Sequence, residues 1–187
     1  MNDHLTRRRF ISYAGTTAFG AALLPAAACK AFAATDPRFT MGLSQYSLRA
    51  LFKSGELDPL DYPQFSVDQF GIKAIDYWEG GLPEDKLDDM AYLEKIRGRA
   101  SDVGTDLFLL MTGAVNGAAK DLDGNKKIVA AIKRCQALGA RYLRVFVWAP
   151  DKDTTGAGAV EALKPLAEAA AEHGVKLAIE RQALTGY

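Results

Sequence analysis

Cysteine and histidine, on which many catalytic and metal sites depend, are scarce in this sequence. Each occurs twice among 187 residues, and neither a CxxC pair nor an HExxH motif is present. No glycine-rich phosphate loop follows the first predicted strand. Only His173 lies beyond the first 33 residues, and it precedes a glycine that ends a predicted helix. These absences argue against zincin chemistry, nucleotide binding through a phosphate loop, and Ser-His-Asp or Cys-His catalysis.

An excess of basic charge is missing as well. The 23 basic and 23 acidic side chains cancel, and removal of residues 1–33 would leave a net charge of −3. A mildly acidic domain lacks the electrostatic footprint of a nucleic-acid-binding protein. Because 49% of the residues are apolar and 10% are aromatic, the chain can bury a core, and extensive disorder is not expected.

The first 33 residues have the ordered regions of an export signal. Residues 6–11 read TRRRFI, as in a twin-arginine signal, a modestly apolar stretch follows, and residues 31–33 read AFA, a small-x-small cleavage site. The apolar stretch is too short and too rich in Gly, Thr and Ala to form a stable membrane anchor. We therefore predict a signal peptide over residues 1–33, a domain over 34–187, and a periplasmic or exported location. Lipid attachment at Cys29 is the alternative.

Four stretches share one pattern: the end of a helix, a glycine and a short apolar run. Gly71, Gly104, Gly139 and Gly174 are spaced by 33, 35 and 35 residues. We expect each glycine to adopt the left-handed conformation that ends a helix. The apolar runs have the length of buried strands. A helical solenoid has a similar period, but runs rich in Val, Phe, Tyr and Trp favour strands.

The segments before these glycines show helical spacing of apolar residues. The predicted stripes are Met90, Leu93, Ile96 and Ala100; Ile128, Ala131, Ile132, Cys135 and Leu138; and Val160, Leu163, Ala167 and Ala170, with a kink at Pro165. With a first strand over residues 39–46, the order βαβαβαβαβ predicts a parallel α/β sheet. It fits an open doubly wound sheet, or about five strands and four helices of an incomplete (β/α)8 barrel of the TIM type.

In both architectures ligands bind at the carboxyl ends of the strands. The candidate residues there are Tyr46, Trp78, Glu79, Arg144, Trp148 and Glu180. The three aromatic side chains could form an apolar wall for a sugar ring, or each could cap the core. Glu180 ends an otherwise mostly apolar strand and must pair, bind a metal or reach solvent. Arg144, inside a strand, needs a carboxylate partner or an anionic substrate.

Four motifs in order carry a resemblance to a known family. They are GLSQYSLR at residues 42–49, IDYWEGG at 75–81, LGARYLRVF at 138–146 and GVKLAIE at 174–180. Together they resemble the xylose-isomerase-like TIM-barrel family, and within it an exported sugar phosphate isomerase/epimerase branch that carries twin-arginine leaders. The resemblance implies a divalent metal at the barrel mouth, Mg²⁺ or Mn²⁺ with Zn²⁺ as a further alternative. It also implies proton or hydride transfer next to a sugar carbonyl.

The resemblance assigns to Glu180 the role of fifth-strand metal ligand and catalytic residue. The family's other ligands lie on later strands, whereas this sequence ends seven residues after Glu180. We therefore expect a C-terminally truncated barrel that is inactive alone and does not bind the metal tightly.

Two other functions stay open at this point. One is a non-catalytic carbohydrate-binding or assembly module. The other is an endonuclease-IV-like hydrolase, against which the export signal, the charge and the scarcity of histidine all count. The expected partner is a small sugar or sugar derivative, with no nucleic acid and no membrane anchor after signal cleavage.

Overall fold

The structure, a computed structural model, describes residues 39–148 and 156–180, so the predicted leader and Cys29 lie outside it. Five strands form one sheet: β1 (Gly42–Ser44), β2 (Ala74–Trp78), β3 (Asp106–Asn116), β4 (Tyr142–Trp148) and β5 (Lys176–Glu180). Neighbouring strands follow the chain order, and each pairing is parallel. The predicted parallel α/β sheet is confirmed.

The described residues contain five α-helices, one more than predicted. They are α1 (Arg49–Ser54), α2 (Tyr62–Phe70), α3 (Met90–Val103), α4 (Lys126–Ala137) and α5 (Ala157–Glu172). The additional helix, α1, follows β1, which is shorter than the predicted strand because the chain turns into a 3₁₀ helix at Gln45–Leu48. Within the described ranges, no helix is long and apolar enough to cross a membrane.

The four repeating glycines have the predicted left-handed backbone. Their φ angles are 66° at Gly71, 72° at Gly104, 72° at Gly139 and 68° at Gly174. Glycine adopts this conformation without the steric cost that a Cβ atom imposes. Each glycine therefore ends a helical segment and returns the chain to the sheet, which explains why the spacing in the sequence reports the βα repeat.

The hydrophobic core lies between the helices and one face of the sheet. Alternation along β2 directs Ile75 and Tyr77 towards the helices, where both are fully buried. The hydroxyl of Tyr77 donates to the carbonyl of Pro59 at 2.6 Å. The predicted stripes of α3 and α4 pack against this face, although Met90 at the start of α3 is 37% exposed.

The lone cysteine of the described residues belongs to the same core. Cys135 is fully buried on α4, and burial raises the pKa of its thiol to about 12. A thiol that stays protonated at neutral pH is a poor nucleophile, so Cys135 serves packing.

The stripe predicted for α5 is wrong in part. Ala162, Leu166 and Ala170 are buried, whereas Val160 and Ala167 are exposed. The helix is rich in alanine, so several of its faces are similarly apolar, and the pattern alone does not decide which face is buried. The helix continues through Pro165, the predicted position of a kink.

Candidate functional site

A cavity of about 560 Å³ opens at the carboxyl edge of the sheet, the side on which the carboxyl ends of the parallel strands lie. The strand register places Trp78 beside Met111, Met111 beside Arg144, and Phe146 beside Glu180. These side chains share the sheet face that is turned away from the helices. Another groove, of about 450 Å³, lies between α2 and α3 and shares no lining residue with this cavity.

Five of the six predicted site residues line this cavity. They are Tyr46, Trp78, Glu79, Arg144 and Glu180. Trp148 ends β4, but its side chain lies outside the described part of the structure. Sequence reasoning did not single out Ser44, Gly113 and Phe146, which also line the cavity. Their position follows from strand alternation and register, a signal that the sequence does contain.

Tyr46 and Trp78 form one aromatic wall of the cavity. Their ring centroids are 5.0 Å apart in an edge-to-face arrangement. The backbone of Gly80 packs against the indole, since a Cβ atom there would lie 2.3 Å from Cζ2 of Trp78. Lys53 of α1 lies above the same indole, 5.7 Å from its centroid. The aromatic wall is therefore packed on one side by the turn that follows β2 and on another by α1.

A buried glutamine fixes the turn beneath this wall. Gln45 is fully buried, and its Oε1 accepts a hydrogen bond from the backbone N–H of Trp78 at 2.7 Å. Its Nε2 donates to the carbonyl of Gly81 at 3.4 Å. The side chain thus gives the end of β2 and the following turn hydrogen-bond partners beyond the point where β1 stops pairing with β2.

Arg144 and Glu180 form an ion pair across β4 and β5. Nε of Arg144 lies 3.2 Å from Oε2 of Glu180, and Nη1 donates to the carbonyl of Thr112 at 3.2 Å. The guanidinium lies over the ring of Phe146, 4.2 Å from its centroid. The Arg144 side chain is only 14% exposed, whereas that of Glu180 is 54% exposed. A largely buried cation therefore holds a carboxylate at the mouth of the cavity.

Glu79 belongs to a second ion pair, which reaches the site from a helix. Its Oε1 accepts from Nη1 of Arg134 at 2.6 Å, and its Oε2 accepts from the hydroxyl of Thr112. Arg134 also donates through Nε to Asp88 at 2.9 Å. Burial lowers the pKa of Arg134, but the hydrogen bonds to the two carboxylates outweigh it and the pKa is raised. Both carboxylate oxygens of Glu79 are thus engaged.

Asp76 is a buried carboxylic acid on the same face of the sheet. Its Oδ1 accepts from Oγ of Ser44 at 3.1 Å and from the backbone N–H of Gln45 at 3.0 Å. Burial raises the pKa of Asp76, and this outweighs the two hydrogen bonds and the charge of Arg144, which lower it. Sequence reasoning missed Asp76, although an acidic residue inside a buried strand is itself a signal.

We expect Asp76→Asn to flatten the dependence of stability on pH. Because the pKa of Asp76 is higher in the folded chain than its ordinary value of 3.8, the folded state binds the proton more tightly. Wild-type stability should therefore fall, relative to the variant, as pH rises from about 4 through the folded pKa, and the difference should be constant above it. Urea unfolding of both proteins across this range measures the difference. Parallel profiles would contradict the prediction.

The described residues do not by themselves fit a divalent metal site. They contain no group of three or more His, Cys, Asp or Glu side chains arranged to hold a metal. Asp76 and Glu79 are engaged by the donors given above, and Glu180 lies beside a guanidinium. A hard divalent cation needs about six oxygen ligands, of which this edge offers one partly available carboxylate.

A parallel β/α sheet with a cavity at the carboxyl ends of its strands defines an α/β protein of the TIM-barrel type. A sequence profile of the xylose isomerase-like TIM barrel family matches residues 66–185 of this chain. The chain belongs to this family.

Solved structures share the fold at low sequence identity. The probable 3-DHS dehydratase AsbF from Bacillus anthracis is 15% identical, with a TM-score of 0.56 over 75% of this chain and 52% of that one. A xylose isomerase domain containing protein from Salmonella typhimurium is 14% identical, with a TM-score of 0.55 over 74% of this chain and 47% of that one. The IOLI protein with a binding zinc atom is 16% identical, with a TM-score of 0.51 over 75% of this chain and 51% of that one.

At these identities the likeness shows the fold alone. The chain spans about half the length of these solved structures. No curated protein matches the chain.

Proposed function

We propose that this chain carries the sugar-binding part of a metal-dependent sugar isomerase or epimerase, exported through the twin-arginine pathway. The observation that supports this proposal is the cavity at the carboxyl edge, in which an aromatic wall adjoins the Arg144–Glu180 pair. An aromatic wall suits the apolar face of a sugar ring, and charged side chains suit its hydroxyl and carbonyl oxygens. The family and the zinc atom in the IOLI structure add support.

The chemistry of the proposed site follows from its charged residues. Arg144 would donate a hydrogen bond to the carbonyl oxygen of the sugar, where negative charge develops when the neighbouring proton leaves. Glu180, the more exposed carboxylate, would be the group that takes this proton. Trp78 and Tyr46 would orient the ring and keep water from one side of it.

We also propose that this chain alone does not turn over substrate. The described residues supply a single partly available carboxylate for a metal, and the chain covers about half of its solved structural neighbours. An alternative function is a non-catalytic carbohydrate-binding or assembly module. It is favoured by the observation that Glu79 and Glu180 are each neutralised by an arginine.

Nuclear magnetic resonance in D₂O tests both parts of the proposal. The chain would be mixed with a panel of aldoses, ketoses and their phosphates in the presence of Mg²⁺ or Zn²⁺. We expect saturation transfer from the protein to at least one sugar and no deuterium incorporation next to its carbonyl. Trp78→Ala should abolish the saturation transfer. The matched control is Phe70→Ala, which removes an exposed ring at the end of α2, and it should retain the transfer.

Each outcome of this experiment decides one part. If no sugar in the panel receives saturation, the chain is not a sugar-binding module. If deuterium enters the sugar, the chain is a complete catalyst, and the proposed inactivity is wrong.

A further inference from the structure

The surroundings of Arg144 hold its charge at one place in the cavity. Nη1 is bound to the carbonyl of Thr112, and the guanidinium lies on the ring of Phe146. The side chain is 14% exposed. The guanidinium carries a positive charge, as arginine side chains do in proteins.

The same guanidinium stands directly against the carboxylate that would be the first metal ligand. Nε of Arg144 is 3.2 Å from Oε2 of Glu180. The Nε atom is itself buried, and among the described residues it has no partner in good hydrogen-bond alignment. Charge attraction to Glu180 is therefore its main compensation, and loss of that carboxylate to another cation would leave it buried beside a second positive charge.

We propose that Arg144 is the built-in counter-cation of Glu180, and that Arg144 and a divalent cation exclude one another at this carboxylate. A cation bound to Glu180 would lie at about 2.0–2.6 Å from its oxygen, and thus within a few ångströms of the guanidinium. Two positive charges at this separation repel strongly where the site is only partly open to water. The displaced arginine would also have to leave Thr112 and Phe146 or remain unpaired.

Two other carboxylates, one in the cavity wall and one on the same sheet face, do not relieve this conflict. Both oxygens of Glu79 accept hydrogen bonds, from Arg134 and Thr112, so Glu79 cannot replace Glu180 as the ion-pair partner of Arg144. Asp76 lies on the same sheet face, but its Oδ1 is already held by Ser44 and Gln45. The inference concerns the occupancy of Glu180 and not the sugar reaction, so it stands or fails independently of sugar binding and turnover.

Titration with Mn²⁺, monitored through the electron paramagnetic resonance signal of the free ion, tests the exclusion on the full chain. We expect wild-type to bind Mn²⁺ weakly and Arg144→Met to bind it at least about tenfold more tightly, since the competing cation is gone. Arg144→Lys keeps the charge and should bind as weakly as wild-type. Adding Glu180→Gln to Arg144→Met should remove the gain, which locates the new site at Glu180.

Other results would overturn the proposal. Sub-micromolar Mn²⁺ binding by wild-type, equal affinity of wild-type and Arg144→Met, or a gain that survives Glu180→Gln would each do so. Circular dichroism would establish that each variant is folded. If Arg144→Met is not folded, Arg144→Gln supplies the same comparison, because it also removes the charge and keeps a polar group near the position of Nε.

Discussion

Replacement of Arg134 by methionine is expected to lower the free energy of unfolding by about 3–5 kcal/mol. Arg134 and Glu79 are joined at 2.6 Å, and their side chains are only 10% and 17% exposed. Methionine fills most of the volume but leaves the Glu79 carboxylate without its cation in a largely buried position. The loss of charge compensation, more than the loss of packing, sets the size of the effect. Urea unfolding monitored by circular dichroism measures it.

The chain offers a matched control for this change. Arg141 makes a bidentate pair with Asp106 at 2.8 and 2.9 Å, but the side chains are 58% and 51% exposed. Arg141→Met should therefore cost less than about 1 kcal/mol. In addition, Glu79→Gln should recover much of the loss in the Arg134→Met background, because it removes the uncompensated charge. If Arg134→Met and Arg141→Met lowered the free energy of unfolding equally, burial would not determine how much each ion pair contributes to stability.

The contrast between Arg134 and Arg144 shows which part of the site was predictable from sequence. Arg144 lies inside a run that reads as a strand, so its need for a partner and its place in the sheet were predictable. Arg134 occupies an ordinary polar position next to the apolar stripe of α4. Its contact with Glu79, 55 residues earlier, depends on where α4 lies on the sheet relative to the turn after β2, and local periodicity carries no information about that packing.

The extension of β3 is a second feature that the sequence pattern did not reveal. The apolar run ends at Met111, yet the strand continues to Asn116 after a register shift against β4. The side chain of Asn125 accepts from the backbone N–H of Asn116 at 2.7 Å and donates to its carbonyl at 3.3 Å. An amide side chain thus takes the place of a neighbouring strand. The pairing of Asn125 with Asn116 depends on the conformation of the loop between them, which the sequence pattern does not predict. The helix-ending glycines could be recognised in the sequence because each one determines only its own backbone conformation.

Gly81→Ala is expected to destabilise the chain by about 2–4 kcal/mol. Gly81 is buried at the end of the 3₁₀ turn Glu79–Gly81, and a Cβ atom there would lie 2.8 Å from Cδ and Oε1 of Gln45. Gln45 is fully buried, and its Oε1 accepts the hydrogen bond from the N–H of Trp78, so a shift away from the added methyl group would strain this bond. The cost therefore combines overpacking with a strained or lost buried hydrogen bond. Because this bond fixes the backbone of Trp78, the saturation transfer to sugar that we propose should weaken as well.

Gly98→Ala makes the same chemical change where neither penalty applies. Gly98 is an exposed residue within α3, and a Cβ atom there meets nothing within 4 Å. Alanine loses less backbone entropy than glycine when a helix forms, so this variant should gain about 0.5–1 kcal/mol. Urea unfolding of both variants separates the two effects by sign. If Gly81→Ala were as stable as wild-type, the turn would have room for a Cβ atom. The hydrogen bond from Trp78 to Gln45 would then constrain the aromatic wall less tightly than its geometry indicates.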